Sequence, residues 1–308
     1  MKDKLALHLA RFVEWMQAQG WSKRTIESYE ANVRFFLDFL SAETSVAGLA
    51  EIDSKLLHAY QQYLYNQKLK SGKRLSLSSQ HTRLVAVRGF FRFLHHTDVL
   101  LFDPSADLVL PKKPKQLPRG VMSEQQVEKL LDQPDVATPL GFRDRTLLEV
   151  LYATGIRNTE LRNLALYDLD LPNLRLTVRQ GKNAKDRVVP LGEIAADYLK
   201  EYLQMVRPQL CKSPQQQLLC VSKHGKQITQ ANLVWIIRKY VKQAGLTGFT
   251  PHSLRHSCAT HMLRGGADLR YVQEMLGHAS VATTQLYTKV EVKDLQAMHR
   301  KCHPRERM

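Results

Sequence analysis

The chain of 308 residues contains no apolar run near the roughly 20 residues that a bilayer-spanning helix needs. Its N-terminus opens with lysines, but Arg11, Glu14 and Trp15 interrupt any signal-type apolar block, and no small-residue cleavage site follows. These absences lead us to expect a cytoplasmic protein with no membrane partner. Cysteine is scarce: Cys211, Cys220, Cys258 and Cys302 are all there is, and none forms a CxxC pair. A disulfide framework is thereby excluded, and reduced structural thiols fit the cytosol. There is no internal repeat and no low-complexity tract. Acidic residues are also short, 29 against 45 Lys and Arg, for a formal net charge of +16 and a pI near 9.7. A surplus of that sign favours a polyanionic partner, nucleic acid first.

Several chemistries lack their signatures. Neither GxxxxGK[ST] nor GxGxxG occurs, and "RGGADLR" reads only as a turn between helices, so a nucleotide cradle is missing. His252 and His256 are four apart and share a helical face, but Ser253 stands where a zinc hydrolase of the HExxH type has Glu. No cysteine or carboxylate pair has ligand spacing, and no tight Asp/Glu cluster suits a two-metal nuclease. The expectation is no metal and no cofactor.

What is present divides into two parts. Residues 1–102 show helical periodicity throughout, in Leu5, Leu9, Phe12, Val13 and Met16, then Ile26, Tyr29, Val33, Phe36 and Leu40, then two further helices, with no strand-like alternation. Residues 103–120, "DPSADLVLPKKPKQLPRG", hold four prolines and the cations Lys112, Lys113, Lys115 and Arg119, which predicts an extended basic linker. From 121 to 308 helices resume, beginning with a capping-box pattern at Ser123 and Gln126. "LRLTVRQ" and "DRVVPL" alternate as strands around "GKNAK", a hairpin signature. The predicted fold is therefore mainly α with a small antiparallel β-sheet in the C-terminal domain, an α+β arrangement. Residues 1–110 carry 14 Lys and Arg against 11 Asp and Glu, the rest 31 against 18, so phosphate attraction concentrates in the linker and second domain.

The chemistry-bearing residues left are Arg157, Lys182, His252, Arg255, His278 and Tyr287. Phosphoryl transfer without a metal needs such an inventory. Two guanidiniums can clamp non-bridging oxygens, imidazoles can donate or move a proton, and a tyrosine hydroxyl can attack phosphorus.

"ATGIRNTELRNL", "HSLRH" and "LGHASVATTQLYTKV", the last with Tyr287 nine residues past His278 in a stretch expected to be helical, resemble the motifs of the tyrosine recombinase (phage integrase) family. The resemblance extends over nearly the whole chain and is nearest to the shorter Xer-like members. It implies a two-domain DNA clamp: a core-binding, SAM-like N-terminal domain over 1–102, the linker, and a catalytic domain over 121–308. By position, the family's first catalytic arginine falls on Arg157, with Glu160 as the acidic residue that helps structure the site. The lysine of the hairpin turn falls on Lys182, in preference to Lys185, because it follows the turn glycine. The HxxR histidine and arginine fall on His252 and Arg255, the third-motif histidine on His278, and the nucleophile on Tyr287. Asn158 and Thr159 depart from the aliphatic and small residues usual after the first arginine. His256, next to the motif, reads as structural or as a support to the site rather than as catalytic.

The implied activity is site-specific DNA recombination through a 3′-phosphotyrosyl intermediate, with strands exchanged via a Holliday junction. The implied partners are duplex DNA carrying specific recombination sites and a homo-tetramer, or a hetero-tetramer with a second recombinase. A type IB topoisomerase-like relaxing enzyme and a catalytically silent DNA-binding repressor are the alternatives. Candidate DNA contacts are Lys23 and Arg24 at a helix start, Arg83, Arg88 and Arg92 on an apolar helix, and Lys112, Lys113 and Lys115 in the linker. The final segment, "VEVKDLQAMHRKCHPRERM", is either a helix exchanged with a neighbour or a frayed tail.

Overall fold

The computed structural model describes residues 2–44, 46, 48–69, 71–112, 120–179, 186–213, 215–277 and 292–306. It separates into two compact units, Met1–Gln116 and Leu117–Met308.

In the first unit, α1 (Lys2–Ala18), α2 (Lys23–Glu43), α3 (Ser54–Asn66) and α4 (Leu77–His96) pack around one core. Side chains start three of these helices: Ser22 accepts from the Thr25 amide, Asp53 from that of Leu56, and Ser76 from that of Ser79. The core is aromatic. Phe12, Phe36, Tyr60, Phe90 and Phe91 are fully buried, with ring pairs such as Phe36–Tyr60 at 4.8 Å. The segment expected as linker is not wholly extended chain. Residues 103–112 pack on this unit: Leu108 is buried, Gln61 donates to the Val109 carbonyl, and the His81 ring bonds that of Pro111. Lys113 and Lys115 lie outside the described residues.

The second unit begins with α5 (Glu124–Leu131), whose Ser123 and Gln126 close the expected capping box, and is built around α6 (Pro139–Thr154). Every residue of α6 from Gly141 onward is buried, including Arg143, Asp144, Arg145 and Glu149. Such charges are tolerable inside only when paired. Arg143 pairs with Asp144 at 2.6 Å, Arg145 with Glu149 at 3.0 Å, and Tyr240 donates to Asp144 at 2.8 Å. Short α7 (Asn158–Asn163) leads into a three-stranded antiparallel sheet, β1 (Leu169–Asp170), β2 (Arg175–Val178) and β3 (Arg187–Pro190). The expected hairpin is β2–β3, in the register Leu176 to Val189 and Val178 to Arg187; β1 extends it.

Helix α8 (Glu193–Glu201) passes through a π turn over Tyr202–Val206 into α9 (Arg207–Leu210). Then come α10 (Gln230–Gln243), α11 (Pro251–Arg264), α12 (Leu269–Leu276) and α13 (Val292–Cys302). All four cysteines are free and buried. Among the described residues no helix is long and apolar enough to cross a membrane.

The C-terminal segment folds onto its own unit. His299 bonds the Ala153 carbonyl at 2.8 Å, His303 that of Tyr152 at 3.2 Å, and Arg305 pairs with Glu149 at 2.7 Å.

Candidate active site

The site is assembled where α6 ends. Gly155 caps α6 in the left-handed conformation (φ 59°), and a Cβ there would lie 2.6 Å from Leu276 Cδ2. Glycine therefore meets both needs of the turn, a positive φ and a close approach. Two residues later Arg157 caps α7. Its backbone N–H donates to Glu160 Oε2 at 2.7 Å and its Nη1 to Glu160 Oε1 at 2.7 Å. Glu160 thus satisfies a helix-start amide and fixes the Arg157 guanidinium with one carboxylate.

Arg255, on α11, is 8% exposed. It donates through Nη1 to the Gly155 carbonyl at 2.6 Å and through Nη2 to that of Leu276 at 2.8 Å. Burial above all, then the nearby Arg157 charge, pushes its pKa down to about 10. Burial alone would raise the pKa of Glu160, but hydrogen bonds from Arg187 and from the Arg157 backbone outweigh it and hold the carboxyl at about 2.

Arg187, the first residue of β3, forks onto Glu160, with Nη1 to Oε1 at 3.0 Å and Nη2 to Oε2 at 2.8 Å. Its Nε donates to the Met275 carbonyl at 2.9 Å. Arg157 Nη2 completes the arrangement by donating to the Gly277 carbonyl at 3.1 Å. Three successive carbonyls at the end of α12, those of Met275, Leu276 and Gly277, therefore each take one N–H from a different arginine: Arg187, Arg255 and Arg157 in turn. The last carbonyls of a helix lack intrahelical partners and carry the negative end of its dipole, so three cations converge there.

The remaining predicted residues divide as follows. His252 and His256 lie on α11 and are exposed. Lys182, Lys185, His278 and Tyr287 lie outside the described residues. In the first unit, Lys23 and Arg24 stand exposed at the N-terminus of α2, and Arg92 and Lys112 are exposed. Arg88 is half-buried, its Nη2 3.5 Å from the Ala106 carbonyl. Arg83 lies 3.6 Å over the Phe35 ring, a stacking that occupies it within its own unit. Arg187 was missed by sequence reading, because an arginine opening a strand looks like a solvated edge residue. The one available signal was its place directly after the hairpin turn that carries Lys182.

A model of the phage integrase family matches residues 120–294, and one of the phage integrase N-terminal SAM-like domain matches residues 9–99. The chain is 39% identical over 302 residues to a Ralstonia nicotianae protein named tyrosine recombinase XerC 2, covering 97% of this chain and 86% of that one. Among solved structures it is similar to a XerH site-specific recombinase bound to palindromic difH substrate after cleavage. That match has 26% identity and a TM-score of 0.65, over 83% of this chain and 73% of that one. A lambda integrase tetramer bound to a Holliday junction shares the fold, at 18% identity and a TM-score of 0.70 over 94% and 80% of the two chains. The chain belongs to the phage integrase family. Its enzyme class is that of the site-specific tyrosine recombinases.

Proposed function

We propose that this recombinase cleaves duplex DNA with the Tyr287 hydroxyl, which attacks the scissile phosphorus and displaces a 5′-hydroxyl. The bond energy is kept in a 3′-phosphotyrosyl link, so a hydroxyl from another strand reverses the step without ATP. Arg157 and Arg255 neutralise the charge that develops on the non-bridging oxygens, joined by His278. His252 accepts the phenolic proton, and Lys182 protonates the leaving 5′-oxygen.

The observation that carries this reading is the convergence of Arg157 and Arg255 on the carbonyls of Gly277 and Leu276, immediately before His278 in sequence. Residues drawn from motifs 98 positions apart meet at one helix end. Exposed Lys23, Arg24, Arg92 and Lys112 are the candidate phosphate contacts of the first unit and linker, with Arg88 beside them; Lys113 and Lys115 join them from the sequence. We assign the 1–102 region to core binding and 121–308 to catalysis. The working assembly is a tetramer on two DNA sites, of one chain or of two related recombinases, acting in the cytoplasm. Recombinase names among relatives support strand exchange over simple relaxation of supercoils.

A nicked suicide substrate tests the proposal. A covalent protein–DNA adduct that forms with the natural chain and is absent in Tyr287→Phe is expected, followed by exchange between two labelled sites. A natural chain that forms no adduct on any nicked cognate site overturns it.

A further inference from the structure

We infer that Arg187 is a positioning residue for DNA cleavage: it locks Glu160 and the end of α12 together so that Arg157 is held in its phosphate-binding attitude. The inference rests on the reading of Arg157 as a phosphate clamp.

The geometry gives Arg187 two simultaneous tasks. Its planar fork covers one edge of the Glu160 carboxylate, bonding both oxygens, while Arg157 approaches the same two oxygens through its Nη1 and its backbone N–H. A bidentate pair of this kind fixes the rotation of the carboxylate as well as its distance. The lone pairs left over are thereby aimed at Arg157. At the same time Arg187 Nε holds the Met275 carbonyl, and its Cδ, Nε and Cζ press on Gly277, where an added Cβ would fall 3.0–3.1 Å from them. Arg187 thus joins α7, β3 and α12 through a single side chain. Each of its three guanidinium nitrogens already donates within the protein, Nε to the Met275 carbonyl and both Nη to Glu160. A direct grip on phosphate is the less suitable task for it.

Loss of Arg187 has a second effect. Glu160 is buried, and the charged groups brought to bear on it are Arg157, Arg187 and, more weakly, Arg255. With the Arg187 bonds removed, burial is opposed by less, and the carboxyl titrates at higher pH. A protonated Glu160 cannot hold Arg157 as an ion pair.

The test is single-turnover cleavage of a nicked substrate at saturating protein, between about pH 5.5 and 8.5, with DNA affinity and urea unfolding measured in parallel. We expect Arg187→Gln to slow adduct formation on the order of 10²-fold at unchanged affinity, the scale of a small misplacement of a reacting group. The loss grows as pH falls, whereas the natural chain shows no such limb from Glu160. Adding Glu160→Gln to Arg187→Gln removes that acid limb while the rate stays low. Arg187→Lys, which restores charge without the fork, recovers only part of the rate; if Arg187→Gln does not fold, Arg187→Lys tests the rate alone, and a rate equal to that of the natural chain overturns the inference. An Arg187→Gln rate within a few-fold of the natural chain, or a loss equal at every pH, overturns the inference alone. A natural chain that gives no Tyr287-dependent adduct overturns the inference together with the reading beneath it.

Discussion

Arg157 donates to the Gly277 carbonyl at 3.1 Å, tying the residue that caps α7 to the residue before His278. Arg255 makes the neighbouring bond to Leu276. In the proposed mechanism these two arginines are oriented beforehand, and groups so oriented cost no reorganisation when charge develops.

Arg157→Ala and Arg255→Ala are each expected to reduce cleavage by about 10²- to 10³-fold, the usual cost of one oxyanion donor. DNA binding, supported by many other cations, stays largely intact. Filter binding and single-turnover cleavage on the same preparations separate the two quantities. Equal losses in both would make these arginines grips rather than transition-state groups.

Cleavage is expected to survive EDTA, because in the proposed mechanism guanidiniums supply the neutralising charge. Adduct yield with and without chelator is the measurement, and a strict divalent requirement contradicts the mechanism.

Gly277→Ala is expected to destabilise the second unit and to slow cleavage. The residue sits at φ 65°, where an L side chain costs about 1–2 kcal/mol. A methyl group would also press on Arg187 at 3.0 Å. A lower urea midpoint together with a reduced cleavage rate is the predicted pair of results. An unaltered midpoint and rate would show that the α12 end tolerates displacement.

Acid should loosen the C-terminal segment. Burial pushes His299 down to about 4 and His303 well below its ordinary value. Both are neutral when folded, so below about pH 6.5 the unfolded chain binds more protons and folding weakens. The stability present above that pH is lost progressively as pH falls toward 4. His299→Gln should flatten this dependence between about pH 6.5 and 4.5. Urea unfolding across that range measures it, and an undiminished slope in the variant would refute the assignment.

Much of this architecture was legible beforehand. Apolar spacing gave the helices of the first unit, the alternation around residues 180–185 gave β2 and β3, and motif spacing led to Arg157 and Arg255. Other features had no signature to read. The acceptors that gather the arginines are backbone carbonyls, which every residue carries alike. The burial of the α6 charges had no signature, because their partners Asp132, Tyr240 and Arg305 are distant in sequence or unremarkable in type. His299 and His303 likewise dock on carbonyls of α6, so a tail that looks polar is buried. The prolines pointed away from a helix, and the described residues 103–112 form none, but they said nothing of Leu108 and Pro111 settling on the first unit.

The single carboxylate shared by two guanidiniums also sets an electrical polarity. Arg157, Arg187 and Arg255 against Glu160 leave two positive charges beside the end of α12. A resting phosphodiester is a monoanion; a phenolate adding to it makes a pentavalent dianion. In the proposed mechanism, that surplus matches the fleeting species better than the intact strand, and so favours passage over storage.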